Sequence, residues 1–410
     1  MKKSNVIMKM ARCGLLALTC LAAFSMFADS PANQDRLANA NTSFAFDLLK
    51  QIVKKQTGAN IFISPYSVST ALQMVGDGAT GGTKQEIDGV LHVNGMTAVN
   101  AVCQRLDRFI LTGQSEVTLN LANAIWFKQG VELNPEFAES CSNFFQAKVA
   151  ALDFSGRQSA KIINDWAQEN TQGRIKDVVQ WPMPSLTRMI VINAIYFKGH
   201  WDRAFEKGAT KDRPFTLPDE TQIQVSMMQQ RGHFDYYQAP GFQAVRLPYA
   251  GGRLEMDLFL PGRGSSIKKL LSGFEGSGWE SKILSQFRDR EGVVALPRFK
   301  LNYNVVLNDP LEALGMKRAF GKRADFSRMC AEKVFLSEVK QKSFVEVDEE
   351  GTEAAAVTMA TFRAMVVMRP QNPFQMNLDH PFLFVIGDQA AHSILFMGVV
   401  SNPGAEASGF

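Results

Sequence analysis

The chain has 410 residues, 46% of them hydrophobic, with 44 Lys and Arg against 40 Asp and Glu. Lys2, Lys3, Lys9 and Arg12 account for the whole basic excess, so the chain beyond residue 28 is formally neutral. That balance offers no charge signature for nucleic acid or for an anionic membrane surface, and the hydrophobic content supports a large core.

The four basic residues precede an apolar run from Gly14 to Phe27, too short to span a bilayer comfortably. Residues 1–28 therefore read as an export signal with Ala28 as the cleavage position, secreted or periplasmic being the expected destinations. Ala17-Leu18-Thr19 is a poor lipobox for Cys20. No later run is apolar enough to cross a membrane. Residues 29–410 contain no Pro/Gly/Ser-rich linker, charge block or repeat, so a single domain is expected. Along it, Asn41–Lys55 and Ser67–Val75 read as helices, and Thr83 with Glu86 predicts a capping box for a helix running to Val90. Val117–Phe127 alternates like a half-buried strand. Ser159–Asn170 is an amphipathic helix, Arg188–Phe197 a strand covered on both faces, and Val334–Val347 alternates again. This order is not a regular βαβ repeat, so the fold class is α+β.

Enzyme chemistry is hard to find. The chain has no G-x-S-x-G elbow, no H-E-x-x-H and no Walker loop, and its five histidines are scattered singly. Gly76-Asp-Gly78-Ala-Thr-Gly81 formally matches G-x-G-x-x-G, but it follows a helical pattern rather than a strand. Cys103, Cys141 and Cys330 are an odd, widely spaced set, which is no disulfide framework. No catalytic residue, metal site or cofactor is expected.

Glu349–Val357, reading EEGTEAAAV, is the most informative stretch. From Thr352 one parity carries Thr352, Ala354, Ala356, Thr358, Ala360, Phe362 and Ala364, while Glu353 and Arg363 both fall on the other. In an extended chain these sets face opposite sides, so such a strand could enter a sheet above a core without burying charge. Pro370 and Pro373 bar its continuation as a central strand.

That run, with HPFLFVI at His380–Ile386 and FMGVVSNP at Phe396–Pro403, resembles the serpin family. NIFISPYSVSTAL (Asn60–Leu72), INDWAQENTQGRI (Ile163–Ile175), VINAIYFKGHWDRAF (Val191–Phe205), VRLPY (Val245–Tyr249), LPRFKL (Leu296–Leu301) and ALGMKRAF (Ala313–Phe320) extend the resemblance in the family's order. It implies mixed β-sheets with surrounding helices and an exposed reactive-centre loop at about 349–375. It also implies a monomeric suicide inhibitor whose cleaved loop inserts into a sheet while the acyl-enzyme of a target serine protease is trapped. The hinge would be Glu349, Gly351, Thr352, Glu353, Ala354, Ala355 and Ala356. Counting from it sets the reactive bond at Met365–Val366, suited to elastase- or chymotrypsin-like enzymes, with Arg363–Ala364 as the trypsin-like alternative. Arg298 and Trp201 match the family's latch on the hinge, and Ser64, Ser67 and Asn193 match the polar cluster beneath the strands that part. Gln341 stands where the family usually has His. The region Gly95–Gln114 offers only Arg105 and Arg108, so no polyanion cofactor is expected. A non-inhibitory binding or chaperone-like role is the alternative.

Overall fold

The computed structural model describes residues 31–112, 117–352 and 373–405. The proposed leader, the hinge residues Glu353 to Ala356 and the Met365–Val366 bond lie outside the described residues.

The strands are β1 (Ile61–Ile63), β2 (Val117–Lys128), β3 (Lys148–Leu152), β4 (Met189–His200), β5 (Lys211–Thr216), β6 (Gln222–Ala239), β7 (Phe242–Pro248) and β8 (Leu254–Pro261). There follow β9 (Arg288–Pro297), β10 (Phe299–Val306), β11 (Leu336–Val347), β12 (Gly351–Thr352), β13 (Phe374–Asn377), β14 (Phe382–Asp388) and β15 (Ser393–Val400). They form two sheets. One runs β1-β15-β14-β8-β7-β6-β9-β13 with β5 on β6, and the other runs β10-β11-β12-β4-β2-β3. The α+β expectation holds.

Helix Pro65–Asp77 is buried from Pro65 to Gly76. Its exterior of Val, Ala, Leu, Met and small hydroxyls suits a helix with protein on every side. Ser64 caps it by accepting from the Ser67 backbone N–H, and Pro65 occupies the first turn, where its missing N–H costs nothing. Helix Arg157–Asn170 lies on the opposite face of the six-stranded sheet. Its Ala160, Ile163 and Ala167 pack with Ile192, Ala194, Tyr196 and Phe344.

β4 is buried almost throughout, as its continuous apolar run predicts. β2 differs from the half-buried expectation. Ala122 to Phe127 are buried on both faces, with Ile125 and Phe127 in the main core and Ala122, Ala124 and Trp126 beneath helix Arg157–Asn170. Alternation in the sequence could not show that a helix covers the second face.

The capping box is also corrected. Helix Gly81–Val90 has Thr80 at its N-cap, so Thr83 lies inside the first turn. Thr83 Oγ1 accepts from the Asp325 N–H at 2.9 Å, and Glu86 Oε2 accepts from the N–H groups of Lys317 and Arg318 at 2.8 and 2.7 Å. Donors from a distant loop captured both side chains. The Gly76–Gly81 motif joins two helices rather than a strand and a helix. Gly78 is required there for packing, because a Cβ would come within 2.2 Å of Met329.

Candidate functional site

β11 runs parallel to β4, paired from Leu336↔Met189 up to Phe344↔Tyr196. Beyond that point the two strands separate and β12 fills the gap. Thr352 pairs antiparallel with Val347 on one side and Gly199 on the other, and Gly351 pairs with His200. Gly351 and Thr352 of the hinge thus already occupy the sheet. The turn that puts them there is chemical: Asp348 Oδ1 accepts from the N–H groups of Glu350 and Gly351 at 2.9 and 3.2 Å, and the Asp348 N–H donates to the Gly351 carbonyl at 2.9 Å. An Asp opening and a Gly closing the four residues is a β-turn pattern. Gly351 has φ +153°, and a Cβ there would lie 2.2 Å from the Gly199 carbonyl oxygen, so no larger residue fits.

Five side chains hold this end. Arg298 donates from Nε to both Glu349 carboxylate oxygens at 2.9 Å and from Nη2 to Oε1 at 2.6 Å. Thr210 adds a further donor to the same carboxylate. Glu349 is buried while Arg298 is half exposed. Burial would raise the Glu349 carboxyl, but the bonds from Arg298 and Thr210 outweigh it and hold the pKa below the ordinary value. Trp201 donates from Nε1 to the Asp348 carbonyl at 3.0 Å, its N–H to the Glu350 carbonyl at 3.0 Å, and its ring stacks on Tyr249 at 4.7 Å. The Tyr249 hydroxyl lies 2.8 Å from Thr352 Oγ1. Lys207 pairs with Glu350 on the outside.

The second group lies midway down the sheet. Gln341, Asn193 and Asn123 are in register across β11, β4 and β2. Gln341 Nε2 donates to Asn193 Oδ1 at 2.6 Å and to the Ser64 carbonyl at 3.0 Å, while its Oε1 accepts from the Ser64 N–H at 3.0 Å. Asn193 Nδ2 donates to Ser67 Oγ and to Asn123 Oδ1. Ser64 Oγ donates to the Leu395 carbonyl at 2.7 Å. All six residues are buried, and the network is bonded on both sides of the β11–β4 seam, as buried polar groups require.

The structure thus brings together Arg298, Glu349 and Trp201 at the end of the sheet, and Ser64, Ser67, Asn193 and Gln341 beneath its seam. Asn123, Thr210, Tyr249 and Asp348 were not anticipated. Asp348 with Gly351 carried a readable turn signal, whereas Asn123 is one polar residue inside an apolar strand and gains meaning only from register. Among the described residues no group of three or more His, Cys, Asp or Glu is placed to hold a metal ion, and no helix is long and apolar enough to cross a membrane. Cys103, Cys141 and Cys330 are free and buried. Burial pushes the Cys141 thiol up to about 12 and the Cys330 thiol to about 11, which leaves them unreactive at neutral pH.

The site is thus a mixed sheet with a hairpin wedged between the parted ends of two parallel strands, held by side chains at that end and polar beneath its middle. The family model for serpins (serine protease inhibitor) matches residues 39–403, and the chain belongs to the serpin family. It is 38% identical over 372 residues to a serpin-like protein of Thermococcus kodakarensis, covering 90% of this chain and 86% of that one. It is 36% identical over 385 residues to the human leukocyte elastase inhibitor, covering 90% of this chain and 100% of that one. The solved structure of human thyroxine-binding globulin superposes with a TM-score of 0.82 at 25% identity, over 91% of this chain and 100% of that one.

Proposed function

We propose that the chain is an exported, monomeric suicide inhibitor of serine proteases and not itself an enzyme. The observation that carries this reading is the seat of Gly351–Thr352 between β11 and β4. Carried on in the same register, an inserting limb would set Ala354 beside Val345 and Phe197, Ala356 beside Ser343 and Ile195, and Thr358 beside Gln341 and Asn193. The uncharged parity would then face the main core, and the one hydroxyl at mid-strand would meet the polar cluster. On the other face Glu353 would lie between Glu346 and Lys198, while Ala355 would pass beneath helix Arg157–Asn170 beside Phe344 and Tyr196. The small and uncharged residues meet matching neighbours, and for Glu353 the repulsion from Glu346 is opposed by Lys198.

Cleavage after Met365 would free the limb, and its insertion would carry an acyl-linked protease with it. An unbranched apolar residue at that position favours elastase- or chymotrypsin-like targets. Incubation of the mature chain with elastase, chymotrypsin and trypsin, followed by denaturing gels, tests the reading. A covalent complex supports it, and cleavage without complex refutes it. The latter outcome would support the alternative of a non-inhibitory binding protein, a reading favoured by the shared fold of thyroxine-binding globulin. Fractionation of cells expressing the full chain tests export.

A further inference from the structure

The cluster of Ser64, Ser67, Asn193 and Gln341 contains no group that exchanges a proton near neutral pH, yet a titratable pair lies beside it. Tyr66 sits between Ser64 and Ser67 in the first turn of helix Pro65–Asp77, and its hydroxyl donates to Asp107 Oδ1 at 2.5 Å. Both side chains are buried. Asp107 lies in helix Val99–Leu111 on the inward face with Val102, Cys103, Leu106 and Ile110. The far end of that helix is pinned. The Arg253 guanidinium lies 4.2 Å over the Phe109 ring, donates to the carbonyls of Phe109 and Thr112 at 2.7 and 3.0 Å, and pairs with buried Asp388 at 2.7 Å. With the helix held there, a change of charge on Asp107 acts on its other contact, Tyr66.

We propose that Asp107 and Tyr66 form a proton-sensitive positioning element for sheet opening. The charge on Asp107 sets the seat of the helix turn that bonds across the β11–β4 seam. This inference rests on the reading that a limb inserts at that seam. The titratable and charged groups that face the pair are Cys103 on the same helix and Asp388 with Arg253 from β14 and the turn before β8. Burial pushes the Asp107 carboxyl up to about 6, with the Tyr66 hydrogen bond pulling the other way. For a raised carboxylate, protonation favours the closed form and a buried charge weighs against it as pH rises through about 6. Parting the strands shifts the Ser64–Ser67 turn and admits water to the Asp107 carboxyl, so that relief of burial lowers its pKa in the opened form by more than loss of the Tyr66 bond raises it. Opening therefore becomes easier above that pH.

The test uses the mature chain and a synthetic peptide with the sequence Thr352–Met365, whose annealing reports sheet opening without a protease. Annealing rates are measured from about pH 5 to about pH 8 for wild type, Asp107→Asn and Tyr66→Phe, with elastase complex formation measured in parallel. Wild-type annealing should accelerate severalfold with rising pH, on the order of tenfold for each unit by which the Asp107 pKa differs between closed and opened forms. Asp107→Asn should give a flat profile. Tyr66→Phe should move the midpoint upward, because it removes the bond that favours the carboxylate. If wild type and Asp107→Asn show parallel profiles, or Tyr66→Phe leaves the midpoint in place, the positioning role is refuted while the inserting sheet stands. A wild type that neither anneals peptide nor traps protease refutes the opening sheet itself, and this inference with it. Should Asp107→Asn fail to fold, the Tyr66→Phe midpoint decides alone.

Discussion

Cleavage within the loop should raise the thermal stability of the protein, and the gain follows from sheet geometry. Insertion must break the parallel pairing of Leu336–Phe344 with Met189–Tyr196, which has eight registered pairs, and so forfeits about as many hydrogen bonds. In exchange, continuation of β12 down to Met189 adds about ten residues paired on both sides, or about twenty bonds. The net gain of about a dozen at ~1 kcal/mol each is on the order of 10 kcal/mol, comparable with the whole ~5–15 kcal/mol that holds an ordinary domain folded. For a chain of this length, that corresponds to a rise of about 10–20 °C in Tm, before any apolar burial is added. The assay is differential scanning calorimetry of intact protein and of protein nicked by a protease that cleaves near Met365. For most proteins a nick is neutral or destabilising. A cleaved sample that melts at or below the intact one would refute insertion, whatever the fold.

Thr352→Arg should destabilise the intact protein, because Thr352 is already fully buried against Tyr249 and an arginine there would bury an unpaired charge; an unchanged Tm of the intact form would contradict this. Mass spectrometry of the peptide released after reaction with elastase should find Val366 at its N-terminus. A fragment beginning at Ala364 would instead move the reactive bond to Arg363 and the specificity to trypsin-like enzymes. Arg298→Ala should destabilise the protein by about 1–3 kcal/mol, since it strips most of the donors from a buried carboxylate. The depressed Glu349 pKa makes the latch fully stabilising above its ordinary value of 4.5 and lost as pH falls through the lower folded value. The Tm difference between wild type and Arg298→Ala should therefore shrink in acid; a difference independent of pH would refute the latch.

Much of this protein was legible in one dimension. The two-residue period after Gly351, with small uncharged side chains on one parity, is a local property, and the apolar run of β4 announces a strand covered on both faces. Arg298, Glu349 and Trp201 were named through resemblance; in the structure Arg298 bonds Glu349, and Trp201 bonds the carbonyls on either side of it. What the sequence could not decide depends on which distant segments meet. Thr83 and Glu86 match a capping box, yet backbone donors near Lys317 and Asp325 took both side chains, because a tertiary N–H without a partner competes with any local cap. Helix Arg157–Asn170 buries a face of β2 that alternation had left open. Asn123 and Asp107 read as ordinary polar residues until register and helix packing place one under the seam and the other against Tyr66. Sequence period states which face of a strand or helix is apolar. Only the folded chain decides what lies against each face, and hence which buried polar groups find partners.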